Sequence, residues 1–149
     1  DLTTDVIMSF PKSEIIFHGI SVAPGKPTIL ARAQGKPIVG LPGHPVSALV
    51  IFDLFGAPLV RILGGESPDT AFDPIRSIPA VLAQNVASKP GREDYIRVKL
   101  TQDGKNTMAT PMPGKSGAIF NLISADGLVR VPANSEGLDE GTPVEVIQF

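Results

Sequence analysis

The sequence predicts an α/β segment followed by a small all-β barrel. Three observations lead there. Strands and tight glycine–proline turns fill residues 14–41 and run straight into an almost wholly apolar helix, Val46 to Leu63. A glycine-, proline- and acid-rich stretch, Gly64 to Pro74, then interrupts the periodicity. Beyond it come short strands at the spacing of a barrel or sandwich. The expected division is 1–65, a linker at 66–74, and 75–149.

In order along the chain, Glu14 to Val22 reads as a strand, with Ile15, Ile16, Phe17 and Ile20 supplying β-branched and aromatic side chains. Thr28 to Ala33 and Pro37 to Leu41 are two more, separated by a turn at Gln34-Gly35-Lys36. Pro45 suits the first turn of the helix, where its missing N–H costs nothing. Between Val46 and Leu63 only Ser47, Asp53 and Arg61 are polar, so the helix should be buried on most sides. Gly56-Ala57-Pro58 predicts a kink or break near its middle. After the linker, strands are expected at 78–87, 94–100, 107–110, 127–131 and 144–149. Tyr95, Arg97 and Lys99 alternate with Ile96, Val98 and Leu100, and Asp103-Gly104 is a hairpin turn. Ser116 to Ala125 is the one helical candidate in this half, ended by Asp126-Gly127.

Composition narrows the function. The 149 residues carry a net charge of −2, so no chain-wide basic field draws nucleic acid or an anionic membrane. The chain has no cysteine, which excludes disulfides and thiolate metal sites and suits a cytoplasmic protein. No apolar run is expected to span a bilayer free of charge and proline. Asp1 to Asp5 do not resemble a signal peptide. A start without methionine is expected of a fragment or a processed product.

Four places can carry chemistry. Pro24-Gly25-Lys26-Pro27 holds a lysine on a stiff turn; it is either a point charge for an oxyanion or a solvated turn residue. Gly40-Leu41-Pro42-Gly43-His44-Pro45 opens the helix, so an anion could meet free N–H groups, His44 and Ser47. The alternative is a tight strand-to-helix turn with Ser47 as its cap. Ser88 to Asp94 contains Arg92, which is either a bidentate oxyanion ligand or a solvated hairpin charge. Pro113-Gly114-Lys115-Ser116-Gly117 superficially resembles a phosphate loop but lacks the required spacing and a strong preceding strand. With only His18 and His44, a multi-histidine metal site is not expected. No carboxylate pair or nucleophile triad is evident.

The turn PGKP (24–27), then GLPGHPVSALVIFDLFGAPLVRILGG (40–65), KPGREDYIRVKL (89–100) and KSGAIFNLISADGLVRVPANSEG (115–137) follow one another in a familiar order. Over nearly the whole chain they resemble the molybdopterin molybdenumtransferases, the MoeA and gephyrin E-domain family. The resemblance implies an enzyme that inserts molybdate into adenylylated molybdopterin and releases AMP, with Mg2+ or another divalent cation. It implies a homodimer of the full-length protein. It also implies that the first segment is the last part of an α/β molybdopterin-binding domain and the second is the family's C-terminal β-barrel.

Carried over by motif, Lys26, Arg92 and Ser116 would be catalytic. Gly25, Pro42, Gly43, His44, Pro45, Ser47 and Asn121 would bind the pterin–molybdate ligand, and Asp1 would stand at the cation. Three positions depart from the family. Ala23 replaces a lysine common before PGKP, His44 replaces the asparagine of GLPGNP, and Asn121 stands where many relatives have serine. A non-catalytic pterin- or molybdate-binding module, or a dimerising module, is the alternative. These residues alone are expected to be inactive.

Overall fold

The computed structural model describes residues 2–112 and 124–148. Helix α1 (Leu2–Ser9), which no sequence signal marked, lays Ile7 on a three-stranded antiparallel sheet of order β1-β3-β4. The strands are β1 (Glu14–His18), β3 (Ile29–Ala33) and β4 (Lys36–Gly40). Ile7, Ile29 and Ala31 form their core, with Ile15 and Ile38 against it. Gln34 and Gly35 take φ of 52° and 77°, both positive, the twist a two-residue hairpin needs.

The strand expected over 14–22 is broken. Gly19, at φ 94°, turns the chain out of the sheet, and the next extended piece, β2 (Val22–Ala23), joins the other half of the molecule. It pairs in parallel with β7 (Glu93–Asp103), Val22 opposite Glu93 and Ala23 opposite Asp94. The Glu93 N–H also donates to Ser21 O at 2.9 Å.

The long helix has its expected break. It runs as α2 (Pro45–Ile51), a π-helical turn (Phe52–Gly56) and α3 (Ala57–Leu63). Pro58 has no N–H to give and its ring crowds the turn before it, so the backbone widens there. The Ala57 N–H accordingly reaches back five residues to Phe52 O. Burial on most sides does not hold. Val46, Val50 and Ile51 are buried, but Phe52, Val60 and Leu63 are 43%, 62% and 69% exposed, because a helix packed against one layer covers one stripe. Asp53, on the widened turn, is half-buried, and burial pushes its carboxyl above the usual carboxylate range.

By length and composition alone, Pro45–Leu63 would suffice to cross a bilayer, which the sequence reading had excluded. Its contacts are those of a helix in a folded domain. Val50 and Leu54 pack on Tyr95 and Leu128 of the barrel.

The 64–74 stretch is more ordered than its composition suggests. It contains α4 (Pro68–Ala71), whose first turn is capped by Ser67 Oγ accepting from the Asp69 N–H at 3.3 Å. Arg61 ties it down: Nε donates to Glu66 Oε2 at 2.7 Å and Nη1 to Asp73 O at 3.1 Å.

The second half adds β5 (Ser77–Leu82), β6 (Val86–Ala87), β8 (Asn106–Pro111), β9 (Gly127–Val131), β10 (Gly137–Leu138) and β11 (Pro143–Gln148). The sheet runs β7-β8-β5-β11-β9, and β9 pairs back onto β7, closing a barrel. Only β5–β8 within this ring is parallel. The long strand expected at 78–87 splits into β5 and β6, the latter pairing with β10 in a separate ribbon. The helix expected over 116–125 falls, through residue 123, outside the described residues.

Val98, Val129 and Val146 fill the barrel with Ala80 and Ala109. Leu82, Val86 and Val131 close one end. Asp126 pins β7 by accepting from the Leu100 N–H at 2.8 Å and Lys99 Nζ at 2.9 Å. These hydrogen bonds, that from Lys99 first, hold its carboxyl below the usual range.

Candidate functional site

Where the two halves meet lies a cleft of about 260 Å³. Ala23 and Pro24 form one wall, Val46 at the start of α2 another, and Arg92, Asp94 and Arg97 of the barrel the third. Each wall follows from local sequence. The Ala23–Pro24 peptide is cis and ends β2 sharply. Gly25 follows at φ 144°, buried so closely that an added Cβ would come 2.3 Å from Ile51 Cδ1. This contact seats the turn against α2. His44 is the N-cap of α2, extended at φ −83° and ψ 128° as a residue before proline must be. The first N–H groups of α2, at Val46 and Ser47, have no carbonyl one turn back.

The barrel wall is charged. Asp94 is 5% exposed and Arg97 8%. Arg92 lies alongside Asp94, Nε 2.8 Å from Oδ1 in ion-pair contact and Nη2 donating to Oδ2 at 3.1 Å. Ser88 Oγ donates to the same Oδ2 at 2.7 Å. Arginine stays charged in any protein environment, so two guanidiniums and one carboxylate leave the lining net positive. A volume at the lower end of ligand pockets suits one oxyanion or a small head group better than a whole pterin nucleotide.

The residues singled out in the sequence do not all converge. Arg92 lines the cleft. Gly25 lies buried behind the turn, and Pro42 and Ser47 are buried beside the α2 start. Lys26, Gly43, His44 and Pro45 are exposed and outside the lining. Ser47 sits in the helix's first turn; the cap position belongs to His44, whose side chain makes no capping bond. Asp1, Ser116 and Asn121 lie outside the described residues. Asp94 and Arg97 went unnoticed. Arg97 shares a strand face with Tyr95, which packs on Val50 of the apolar helix, whereas Asp94 has the strand parity of Ile96 and Val98, so the alternation after Arg92 marked neither as part of a site.

Beside the cleft, Glu93 accepts from Arg130 Nη2 and from Tyr95 Oη at 3.2 Å. Arg130 holds the Glu93 carboxyl below its usual range, while burial, then Glu93, push the Tyr95 hydroxyl up to about 12. A depressed carboxyl contributes stability above the unfolded value near 4.5, lost as pH falls through the folded value. Arg130 is half-exposed, so the pair is worth about 1 kcal/mol or less, roughly 2–4 °C in Tm. We expect the Tm gap between the parent and Glu93→Gln to shrink as pH is lowered from about 6 to about 3. A gap indifferent to pH removes the ion-pair account.

Comparison with known proteins places this architecture. Residues 1–62 match the family described as "Probable molybdopterin binding domain", and residues 79–149 match "MoeA C-terminal region (domain IV)". The chain belongs to the MoeA family. It is 36% identical over 130 residues to molybdopterin molybdenumtransferase 2 of Mycobacterium tuberculosis, covering 87% of this chain and 31% of that protein. With the molybdopterin molybdenumtransferase of Staphylococcus aureus strain Mu50 it shares 31% over 137 residues, 91% of this chain and 32% of that one. The crystal structure of a molybdopterin biosynthesis MoeA protein from Pyrococcus horikoshii superposes with a TM-score of 0.80 at 42% identity, over 100% of this chain and 35% of its own.

The chain thus spans about a third of the length of the relatives it matches. Its α/β segment followed by a β-barrel is the MoeA arrangement. The divalent cation that the resemblance implies finds no cradle among the described residues. No three histidine, aspartate or glutamate side chains cluster there, and Asp94 is taken up by Arg92 and Ser88.

Proposed function

We propose that this MoeA-family chain forms the oxyanion-facing part of an enzyme that inserts molybdate into adenylylated molybdopterin and releases AMP. The observation that carries this reading is the cleft itself. It joins the turn after β2, the N-terminal end of α2 and the guanidinium of Arg92 from across the molecule.

The chain's contribution is charge and orientation rather than covalent chemistry. Arg92 and the buried Arg97 offer fixed cations to a tetrahedral dianion, and the start of α2 offers its free N–H groups and positive dipole end. Lys26, exposed on the stiff turn outside the cleft, serves as a second charge for an anionic substrate approaching the mouth. Molybdate held there would be presented to the dithiolene sulfurs as AMP departs. Pterin and nucleotide, too large for this cleft, extend beyond it. Ala23 removes one cation that relatives place here, so Arg92 carries more of the load.

Magnesium is proposed to draw its carboxylate ligands from outside the described residues, Asp1 among them, and no step is assigned to it. Residues 1–65 and 75–149 are proposed as the two domains, joined through 66–74. A cytoplasmic homodimer is proposed for the intact enzyme. These 149 residues alone are expected not to turn over.

The test is molybdate-dependent AMP release from adenylylated molybdopterin by the intact enzyme. Lys26→Ala should slow it about tenfold, less than the 10²–10³ typical of an enclosed donor, because Lys26 is exposed. A variant as fast as the parent removes Lys26 from the site. An intact enzyme that binds molybdate without releasing AMP supports the binding-module alternative.

A further inference from the structure

We propose that Asp94, seconded by Ser88, is the positioning residue that aims Arg92 at the incoming oxyanion. The inference rests on the molybdate reading above and extends it to the residues that hold Arg92.

A guanidinium can present two forked edges: a side edge, Nε with Nη2, and an end edge, Nη1 with Nη2. In this cleft Asp94 lies along the side edge: Oδ2 accepts from Nη2 at 3.1 Å, and Oδ1 stands 2.8 Å from Nε in ion-pair contact without a hydrogen bond. Among the described residues no acceptor meets Nη1, so the end edge stays available. That edge is the one an oxyanion can grip with two parallel hydrogen bonds.

The clamp is itself held. Asp94 is 5% exposed, and Ser88 Oγ fixes Oδ2 at 2.7 Å. Its backbone is registered opposite Ala23, the residue before the cis proline of the facing wall. The Ser88 N–H donates to Glu136 O and the Gly91 N–H to Ala133 O, each at 2.7 Å, so the hairpin carrying the clamp is braced by the 133–136 loop. An arginine side chain otherwise loses much rotamer freedom when it is ordered. Here that ordering is complete before the ligand arrives. Asp94 also lowers the net charge of the wall, which opposes anion binding. The burial and the double hold argue that orientation outweighs this cost.

The experiment measures binding of molybdate alone to the intact enzyme by calorimetry, with Tm followed in parallel. Asp94→Asn is isosteric and keeps an acceptor for Ser88 but loses the paired carboxylate. It should weaken molybdate binding about tenfold, and Asp94→Glu should recover part of the loss. In an Arg92→Lys background, which has no fork to aim, Asp94→Asn should change binding less than twofold. Unchanged or tighter binding by Asp94→Asn overturns the proposal, as does an effect undiminished in the lysine background. If Arg92→Ala also binds molybdate like the parent, the molybdate site itself is wrong. If Arg92→Ala loses binding while Asp94→Asn does not, only the positioning role fails. Should Asp94→Asn fail to fold, Ser88→Ala takes its place, with a threefold to fivefold loss expected and unchanged binding overturning the idea.

Discussion

Replacing Arg92 with alanine should lower the rate of molybdate insertion about 100-fold or more in the intact enzyme. Removing one well-placed donor from an enclosed site costs on the order of 10²–10³ in rate. Arg92 is a charged donor with Nε buried and its guanidinium on the cleft wall. With Ala23 in place of the neighbouring lysine of relatives, no cation from position 23 can stand in for it. The loss should appear in kcat/KM for molybdate and fall less on KM for the pterin nucleotide, which the proposed function places beyond this cleft. Arg92→Lys keeps the charge but not the planar fork, so it should recover only part of the rate. Molybdate insertion at more than about a third of the parent rate by Arg92→Ala removes Arg92 from the mechanism.

A large structural effect should come from Gly127→Ala. Gly127 is the first residue of β9, the strand that closes the barrel onto β7 and β11. A Cβ there would lie 2.4 Å from Ile147 O and 2.7 Å from Val146 Cγ1. The first neighbour is backbone of a paired strand and cannot rotate aside. Relief requires β9 and β11 to part, which loosens Val129 and Val146 in the core. We expect a loss of about 3 kcal/mol, the upper part of the range for overpacking, or roughly 10 °C in Tm for a chain of this size. Gly43→Ala is the control. Nothing lies within 4 Å of its added Cβ, and its φ is not in the left-handed region, so Tm should move by no more than about 2 °C. Equal shifts in the two variants refute the steric account.

Much of the fold was legible because local patterns and tertiary contacts agree. Val46 to Leu63 reads as a helix opened by Pro45, and Pro58 marks its break because a missing N–H is a property of the residue itself. β7 turns into β8 at Gly104-Lys105, one residue on from the expected Asp103-Gly104, where Gly104 takes the positive φ of 61° for equally local reasons. What escaped was decided at a distance. Ile20 to Ala23 looks like the end of one strand, yet Gly19 turns it away and Glu93 supplies its partner. Gly19 permits the turn, but nothing between residues 14 and 22 specifies Glu93 as the partner. Helix α1 escaped for a similar reason: of its apolar residues only Ile7 is buried, so its amphipathic signal is faint.

The site divides in the same way. Arg92 was legible through the resemblance, since by itself it reads equally as a solvated hairpin charge. Asp94 and Arg97 were not, because on a strand they read as ordinary polar positions. Their meaning depends on Ala23, Pro24 and Val46, which line the same cleft from elsewhere in the chain, and no pattern within β7 reports that.

The pairing of β2 with β7 also bears on how the protein is made. Val22 and Ala23 leave the ribosome about seventy residues ahead of the strand that will receive them. Until Glu93 and Asp94 emerge, the turn bearing Lys26 has no ladder to rest on, although α2 is already complete. Contacts this far apart in sequence are slow to form. Cleft and barrel therefore mature together, late in synthesis, and a nascent chain stalled within the 64–74 segment would display the glycine–proline turns without the wall that makes them a site.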